Sequence, residues 1–258
     1  MKIAVLIKRV PDTASVIKIG PDNKSIVEDN LKYVMSPYDE HAVEQAIRIK
    51  EAGEAEVVIV SCGGEEVKET IRAGLAMEAD YGILVKDEAL KNASGKGAAI
   101  ALAAALKTVN PDIIFAGKQA VDDDGSQVGE RVAEILDIPH VSAITGFALQ
   151  GDKAGVKREI EGGTVELEVG LPALFTAQKG LNTPRYPKLP NIIKAKKKEI
   201  KEMALSDLSI SADDISSGME VLGMEPPKER GGGKILEGDK DRVASELVKI
   251  LHEQEKVI

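Results

Sequence analysis

The chain is poor in the residues that announce most chemistries. It has one cysteine, Cys62, no tryptophan, and only 3% aromatic residues in 258. A single cysteine excludes an internal disulfide framework and any cysteine-cluster metal site. Scarce aromatics oblige the core to be aliphatic and deny the chain the stacking platforms that hold single-stranded nucleic acid. Its three histidines, His41, His140 and His252, stand too far apart in sequence to form a ligand motif. Basic excess is lacking too: 34 Lys and Arg against 43 Asp and Glu leave a formal charge of −9, which argues against a nucleic-acid binder. No apolar run approaches the ~20 residues that cross a bilayer. The opening Met1–Asp12 has the look of a short signal segment, but Ile3–Ile7 is too brief and no small-residue cleavage site follows. No membrane insertion and a cytoplasmic location are therefore expected. What is present in quantity is hydrophobic residues, 43%, enough for a substantial core.

Over the first 150 residues, short apolar runs alternate with helical patterns. Ile3–Ile7, Val57–Val60, Ile83–Val85 and Ile113–Phe115 read as strands covered on both faces. Helices are expected from Ser36-Pro37-Tyr38-Asp39 to Gly53, over Glu65–Met77, Gly97–Val109 and Ser126–Leu136. In the first of these, Ser36 is a candidate N-cap, Pro37 suits the first helical position and Asp39 completes a box-like spacing. This alternation predicts an α/β fold with a parallel sheet. A small hairpin is expected around Gly20–Lys24. After Pro139 the texture changes. Val141–Leu149, Val156–Glu161 and Thr164–Val169, separated by glycine turns, predict an antiparallel β extension. Pro184, Pro187 and Pro190 then interrupt regular structure, and the basic run Lys194–Lys198 follows, read as a solvated or partner-facing strand. Glu202–Gly233, with Pro226-Pro227 and Gly231-Gly232-Gly233, reads as loop, and Asp241–Glu255 as a final helix.

Ligands of open α/β sheets sit outside the carboxyl ends of the strands. Three segments fall there: Lys8–Asp12, Ser61–Gly64 and Gly117–Gly129. In the third, Gly125, Ser126, Gln127, Val128 and Gly129 lie where a helix N-terminus offers unpaired N–H groups to an anion. Asp122, Asp123 and Asp124 place three negative charges beside it, and capping of the helix is the equally weighted alternative. The Walker A and Rossmann glycine patterns are both absent. Cys62 lacks an adjacent histidine and reads as a small buried hydrophobe. The acidic triplet reads more readily as cap or loop than as a magnesium site. Composition and spacing thus lead to a nucleotide-binding α/β protein without an evident catalytic constellation.

Several segments in order are similar to one family. They are VLIKRVPD, MSPYDEHAVEQAIRIKE, VSCG followed by ETIRAGLAMEAD, GKQAVDDDGSQVGERVA, and VKREIEGGTVELEVGLPALFTAQKGLNTPRYPKLPNIIKAKKK. The chain resembles the beta subunit of electron transfer flavoprotein over about its first 200 residues, and more loosely thereafter.

That resemblance implies a Rossmann-like domain of the adenine-nucleotide α-hydrolase type over residues 1–200. It carries the β extension and a partner-docking loop at 178–190, and residues 201–258 form an arm against an alpha subunit. It implies an electron carrier rather than an enzyme in itself. AMP is bound in this subunit, and FAD is held mostly by the alpha subunit. Electrons come from flavoprotein dehydrogenases of the acyl-CoA type and go towards a quinone reductase. Carried over by motif, the AMP site comprises Leu6, the Ser36–Asp39 turn, Ser61, Cys62 and the loop Gly117–Val128, including Gln119 and Val121. Backbone N–H groups of Ser126–Val128 are expected to hold the phosphate, with an aspartate taking ribose or adenine. The chain departs from many relatives at Asp39, Gly125 and Ser126. Leu181 is expected as the exposed apolar anchor of the docking loop, with Pro184, Arg185 and Tyr186 beside it, and Glu159 near the mobile flavin domain. Two alternatives stand: a bifurcating subunit that binds a second FAD in place of AMP and oxidises NADH, and a stand-alone adenylate-binding protein. The first is disfavoured by the intact aspartate triplet, and the second leaves the PRY loop and the basic run unexplained.

Overall fold

The computed structural model describes residues 1–53, 55–216, 220–227 and 232–258, and for Asn92 the backbone only. It contains β1 (Lys2–Leu6), β2 (Arg9–Pro11), β3 (Tyr33–Met35), α1 (Pro37–Ala52), β4 (Glu56–Gly63), α2 (Val67–Ala76), β5 (Tyr81–Lys86), α3 (Gly95–Val109), β6 (Ile113–Gly117) and α4 (Val128–Leu136). There follow β7 (His140–Gln150), β8 (Lys153–Ile160), β9 (Gly163–Gly170), β10 (Ala173–Ala177), α5 (Leu189–Ala195), β11 (Ile200–Met203) and α6 (Lys240–Lys249).

One mixed sheet dominates, in the order β11-β5-β4-β1-β6-β10-β7-β8-β9. From β11 to β7 every pairing is parallel, whereas β7-β8-β9 is antiparallel. Strands β1, β4 and β6 are apolar throughout their centres because both faces are covered. Alternate residues feed two cores. Ile3, Val5, Val57, Ile59, Ile113 and Phe115 pack with α1 and α2 on one face. Ala4, Leu6, Val58, Val60, Ile114 and Ala116 pack with α3 and α4 on the other. Helix α3 approaches the chain closely: a Cβ on Gly97 would lie 2.3 Å from the Ile215 carbonyl oxygen. All three phenylalanines meet in one cluster. Phe115 of β6, Phe175 of β10 and Phe147 of β7 have ring centroids 5.2–5.9 Å apart, and Phe147 meets both partners edge-on. This cluster fastens the antiparallel ribbon to the parallel sheet.

The α/β expectation and the antiparallel extension hold. Other expectations need correction. Strand β10 was not anticipated. It is buried along its whole length between β6 and β7, so it shows no alternation, and Pro172 just before it reads as a breaker. Strand β11 was missed because an edge strand of four residues carries too little pattern. The small hairpin expected around Gly20–Lys24 does form: Asn23 N–H donates to Gly20 O at 3.0 Å in the turn, and Gly20 N–H donates to Ser25 O and Val27 N–H to Lys18 O, each at 2.8 Å, across its arms. The basic run is not a strand but the end of α5 and a turn. Its last member, Lys198, reaches back to the end of α2 and donates to Leu75 O at 3.1 Å and Ala79 O at 2.5 Å. There its ammonium sits at the C-terminal end of the helix, where the macrodipole favours a cation.

Two compact units partition the chain. The first comprises Met1–Lys18 and Ile26–Leu222 and holds the sheet. The second comprises Ile19–Ser25 and Gly223–Ile258. Within it α6 is capped by Asp239, whose side chain accepts from Arg242 N–H at 3.0 Å, and the helix buries none of its residues. The expected Gly231-Gly232-Gly233 loop falls partly outside the described residues, at Gly231.

If the phenylalanine cluster joins ribbon and sheet, Phe175→Ala leaves a cavity at that joint. The expected loss is about 3–5 kcal/mol, read as a lower urea midpoint and melting temperature.

Candidate functional site

The carboxyl ends of β1, β4 and β6 lie side by side, since Leu6 pairs with Val60 and with Ala116. Beyond them the loops diverge, and one side chain ties them. Asp39, buried in the first turn of α1, accepts from Lys8 N–H at 2.7 Å through Oδ2 and from Gly117 N–H at 3.0 Å through Oδ1. Lys8 follows β1 and Gly117 ends β6, so one carboxylate serves both loops. Burial raises the Asp39 carboxyl to about 7, against the pull of those two N–H groups. Gly117 has no room for a side chain, because a Cβ would sit 2.3 Å from Asp39 Oδ1.

The capping box is corrected here. Ser36 is the N-cap of α1, but its side chain caps nothing. Its N–H donates to Lys8 O at 3.0 Å, and its Oγ reaches Gln119 O at 3.5 Å. Pro37 opens the helix as expected, and Tyr38 stands half-buried beside Lys118, whose Nζ is 5.2 Å from the ring centroid. Ser61 is buried at the end of β4 and donates to Ile7 O at 2.7 Å. Cys62 beside it is half-buried, and burial raises its thiol to about 11, so it stays protonated.

The Gly117–Val128 loop is held by its own side chains. Lys8 Nζ lies 2.8 Å from Asp122 and 3.1 Å from Asp123. Burial opposes the lysine's charge, but the two aspartates outweigh it and raise its pKa. Asp123 also accepts from Gly125 N–H at 3.0 Å. Gln119 donates to Asp124 at 2.5 Å and accepts from Ser126 Oγ at 3.0 Å. Asp124 and Ser126 adopt left-handed backbone, φ 48° and 47°, a cost that their side-chain bonds offset. Val121 is half-buried in the same loop.

The acidic triplet therefore does not cap α4. That helix starts at Val128 with Gln127 as N-cap and no side-chain cap bond, while Gln127 Oε1 is taken by Arg131 at 2.9 Å. Two expectations about the phosphate cradle change. Gly125 N–H is already used by Asp123, and Gly129 faces the sheet, where a Cβ would lie 2.8 Å from Thr176 Cγ2. What is left for an anion is the first turn of α4 around Ser126–Val128. Lys8, which opens the first of the three candidate segments, supplies the cation that pairs with this acidic loop, a link that the order of residues does not show.

In the 178–190 segment the residues expected to dock a partner separate. Leu181 is half-buried and packs against the core under α1, so the expectation that it stands exposed fails. Arg185 points inward to Glu44, Glu51 and Glu78. Pro184 is half-buried, Tyr186 is 96% exposed, and just beyond it Leu189 is 70% exposed. Glu159 is exposed on β8, opposite Thr164 of β9.

Against this geometry the comparisons with known proteins are decisive. The family model for the electron transfer flavoprotein domain matches residues 24–208. The chain is 37% identical to the electron transfer flavoprotein subunit beta of Bacillus subtilis, over 100% of both chains. It is 41% identical to the human subunit beta over 95% of this chain and 96% of that one. The chain belongs to the electron transfer flavoprotein beta-subunit family. It is also 43% identical to the mitochondrial subunit beta of Arabidopsis thaliana over 93% of this chain and 95% of that one. No helix among the described residues is long and apolar enough to cross a membrane.

Asp39 yields a pH prediction. Its pKa is raised in the folded state, so its contribution to stability is complete below the unfolded value of 3.8 and is lost as pH rises through about 7. Carboxyls such as Glu44, Glu51 and Asp123 are shifted downward and act below this window. Glu40 is raised by burial, but it is common to both proteins. Urea denaturation at pH 5 and pH 8 should show stability falling with pH in the wild type. In Asp39→Asn that slope should shrink by about 2–3 kcal/mol between pH 5 and pH 8.

Proposed function

We propose that this chain is the beta subunit of a heterodimeric electron carrier, holding AMP in the crevice under Asp39 and presenting its 178–193 segment to flavoprotein dehydrogenases. The observation that carries the nucleotide reading is the uncapped N-terminus of α4 at the carboxyl edge of the sheet. Such a terminus suits a phosphate. Exposed Ser126 and half-buried Val121 and Gln119 border it. Lys8 pairs with both Asp122 and Asp123, which offsets part of the repulsion that three acids would set against a phosphate. AMP serves as a structural ligand here, joining the β1, β4 and β6 loops.

FAD, bound mostly by the alpha subunit, supplies the one- and two-electron chemistry of the complex. This chain's residues contribute binding and orientation. Cys62, held protonated by burial, takes no covalent part. Electrons pass from acyl-CoA-type dehydrogenases towards a quinone reductase.

The docking surface is read from exposure. Tyr186, Leu189 and Ile193 stand out of the core on one short stretch, whereas Leu181 does not. Exposed apolar side chains grouped on one stretch of surface, here the end of the loop and α5, mark a contact site. Lys194, Lys196 and Lys197 beside them match a partner rim of opposite charge. The anchor is thus assigned to Leu189.

Two measurements test these readings. Nucleotides released from the purified complex should be one AMP and one FAD per heterodimer. Two FAD and no AMP would overturn the AMP reading in favour of a bifurcating subunit. Leu189→Ala should raise the dehydrogenase's KM for the complex by the equivalent of about 1–3 kcal/mol and leave the melting temperature unchanged. Leu181→Ala should do the reverse, lowering the melting temperature with KM little altered.

A further inference from the structure

Arg185 stands in the middle of the segment read as the docking surface, yet its guanidinium turns away from solvent. Its side chain is 26% exposed, and that of Glu44 beneath it is 4% exposed. Arg185 Nε donates to Glu44 Oε2 at 2.8 Å and Nη2 to Glu44 Oε1 at 3.3 Å. Nη1 and Nη2 donate to the two oxygens of Glu51 at 2.5 Å and 2.9 Å. The backbone N–H of Arg185 donates to the same Glu44 at 3.2 Å. One turn of α1 earlier, Asn182 Nδ2 donates to His41 O at 2.9 Å. Arg48 holds Glu44 at 2.8 Å and Thr183 O at 3.3 Å.

Every guanidinium nitrogen of Arg185 is thus engaged with α1, and residues 182–185 are bolted along that helix from His41 to Glu51. We propose that Arg185 and Glu44 form a positioning clamp: they hold the docking segment in its binding conformation and leave contact with the partner to Tyr186 and Leu189. The inference rests on the docking reading above. Its physical content is preorganisation, because a segment already fixed on a rigid helix does not have to be ordered when the partner arrives. Pro184 and Pro187 bracket the clamp and narrow the alternatives of the free segment. Glu44 is the discriminating residue. It is nearly inaccessible and cannot touch a partner, so an effect of its loss on docking must act through Arg185 and the segment.

The test uses the assembled complex with its alpha subunit and an acyl-CoA dehydrogenase that reduces the wild type. Glu44→Gln, which turns an acceptor into a donor facing the guanidinium, should raise KM for the complex about tenfold. The rate at saturation should not change, and the Arg185 amide should exchange its hydrogen faster. Leu189→Ala should raise KM without altering exchange. If Glu44→Gln loosens the segment while KM stays the same or falls, Arg185 acts by direct contact once freed, and the positioning role is wrong. Unchanged exchange in Glu44→Gln overturns the clamp itself. If Leu189→Ala leaves KM unchanged, the docking reading falls instead, whatever Glu44→Gln does to exchange. Should Glu44→Gln fail to assemble, Asn182→Ala removes a milder tether. It should show the same pair of changes at smaller amplitude, and normal KM with faster exchange would refute the proposal.

Discussion

A single buried carboxylate organises the crevice. Parallel strands end together, and their loops then separate, leaving N–H groups at the sheet edge without ladder partners. At β1 and β6 these belong to Lys8 and Gly117, and Asp39 accepts both. Its burial opposes its charge, but the same burial makes an unpaired N–H expensive, so the arrangement is tightly determined. Gly117 must remain glycine because the carboxylate fills the space a Cβ would take. Helix α1 must begin where it does, because moving Asp39 by one residue would turn it by about 100° away from both donors.

The same helix carries structure outward. Ala42, Val43, Ala46 and Ile47 form its buried stripe against the sheet. Glu44 and Glu51 lie along another side and receive Arg185. A buried glutamate is tolerable only if paired and hydrogen-bonded. Glu44 has both Arg48 and Arg185, and together they overcome its burial and lower its pKa. From Asp39 to Glu51, α1 thus joins the crevice at the carboxyl edge of the sheet to the 182–185 segment along its length.

Much of this architecture was legible in the amino-acid order, for definable reasons. Strands β1, β4 and β6 are continuous β-branched or apolar runs between helices of clear period, and the β7-β8-β9 ribbon has glycine turns at Gly151 and Gly162-Gly163. Residues that act at long range were not legible. Strand β10 enters the sheet between β6 and β7, far from both in sequence. Lys8 meets Asp122 across 114 positions, and Arg185 meets Glu44 across 141. No local pattern encodes such pairs. Leu181 was misjudged for a related reason: its neighbours Gly180 and Asn182 imply a bend, and the bend exists, but α1 lies beneath it. Asn182, which reads as a turn residue, is spent on His41 instead.

An electron carrier needs partners that orient correctly and leave quickly. A large apolar interface would give long-lived complexes, since affinity differences among related complexes reside mostly in dissociation. A small patch bears little binding energy and cannot also meet the cost of ordering its own loop. On the proposed reading, the chain resolves this by separating the tasks. Arg185, Asn182 and Thr183 fasten the loop to α1 with polar bonds that face inward, while Tyr186 and Leu189 remain outside. Specific geometry is built into the free subunit, so the contact can stay small and the exchange of partners fast.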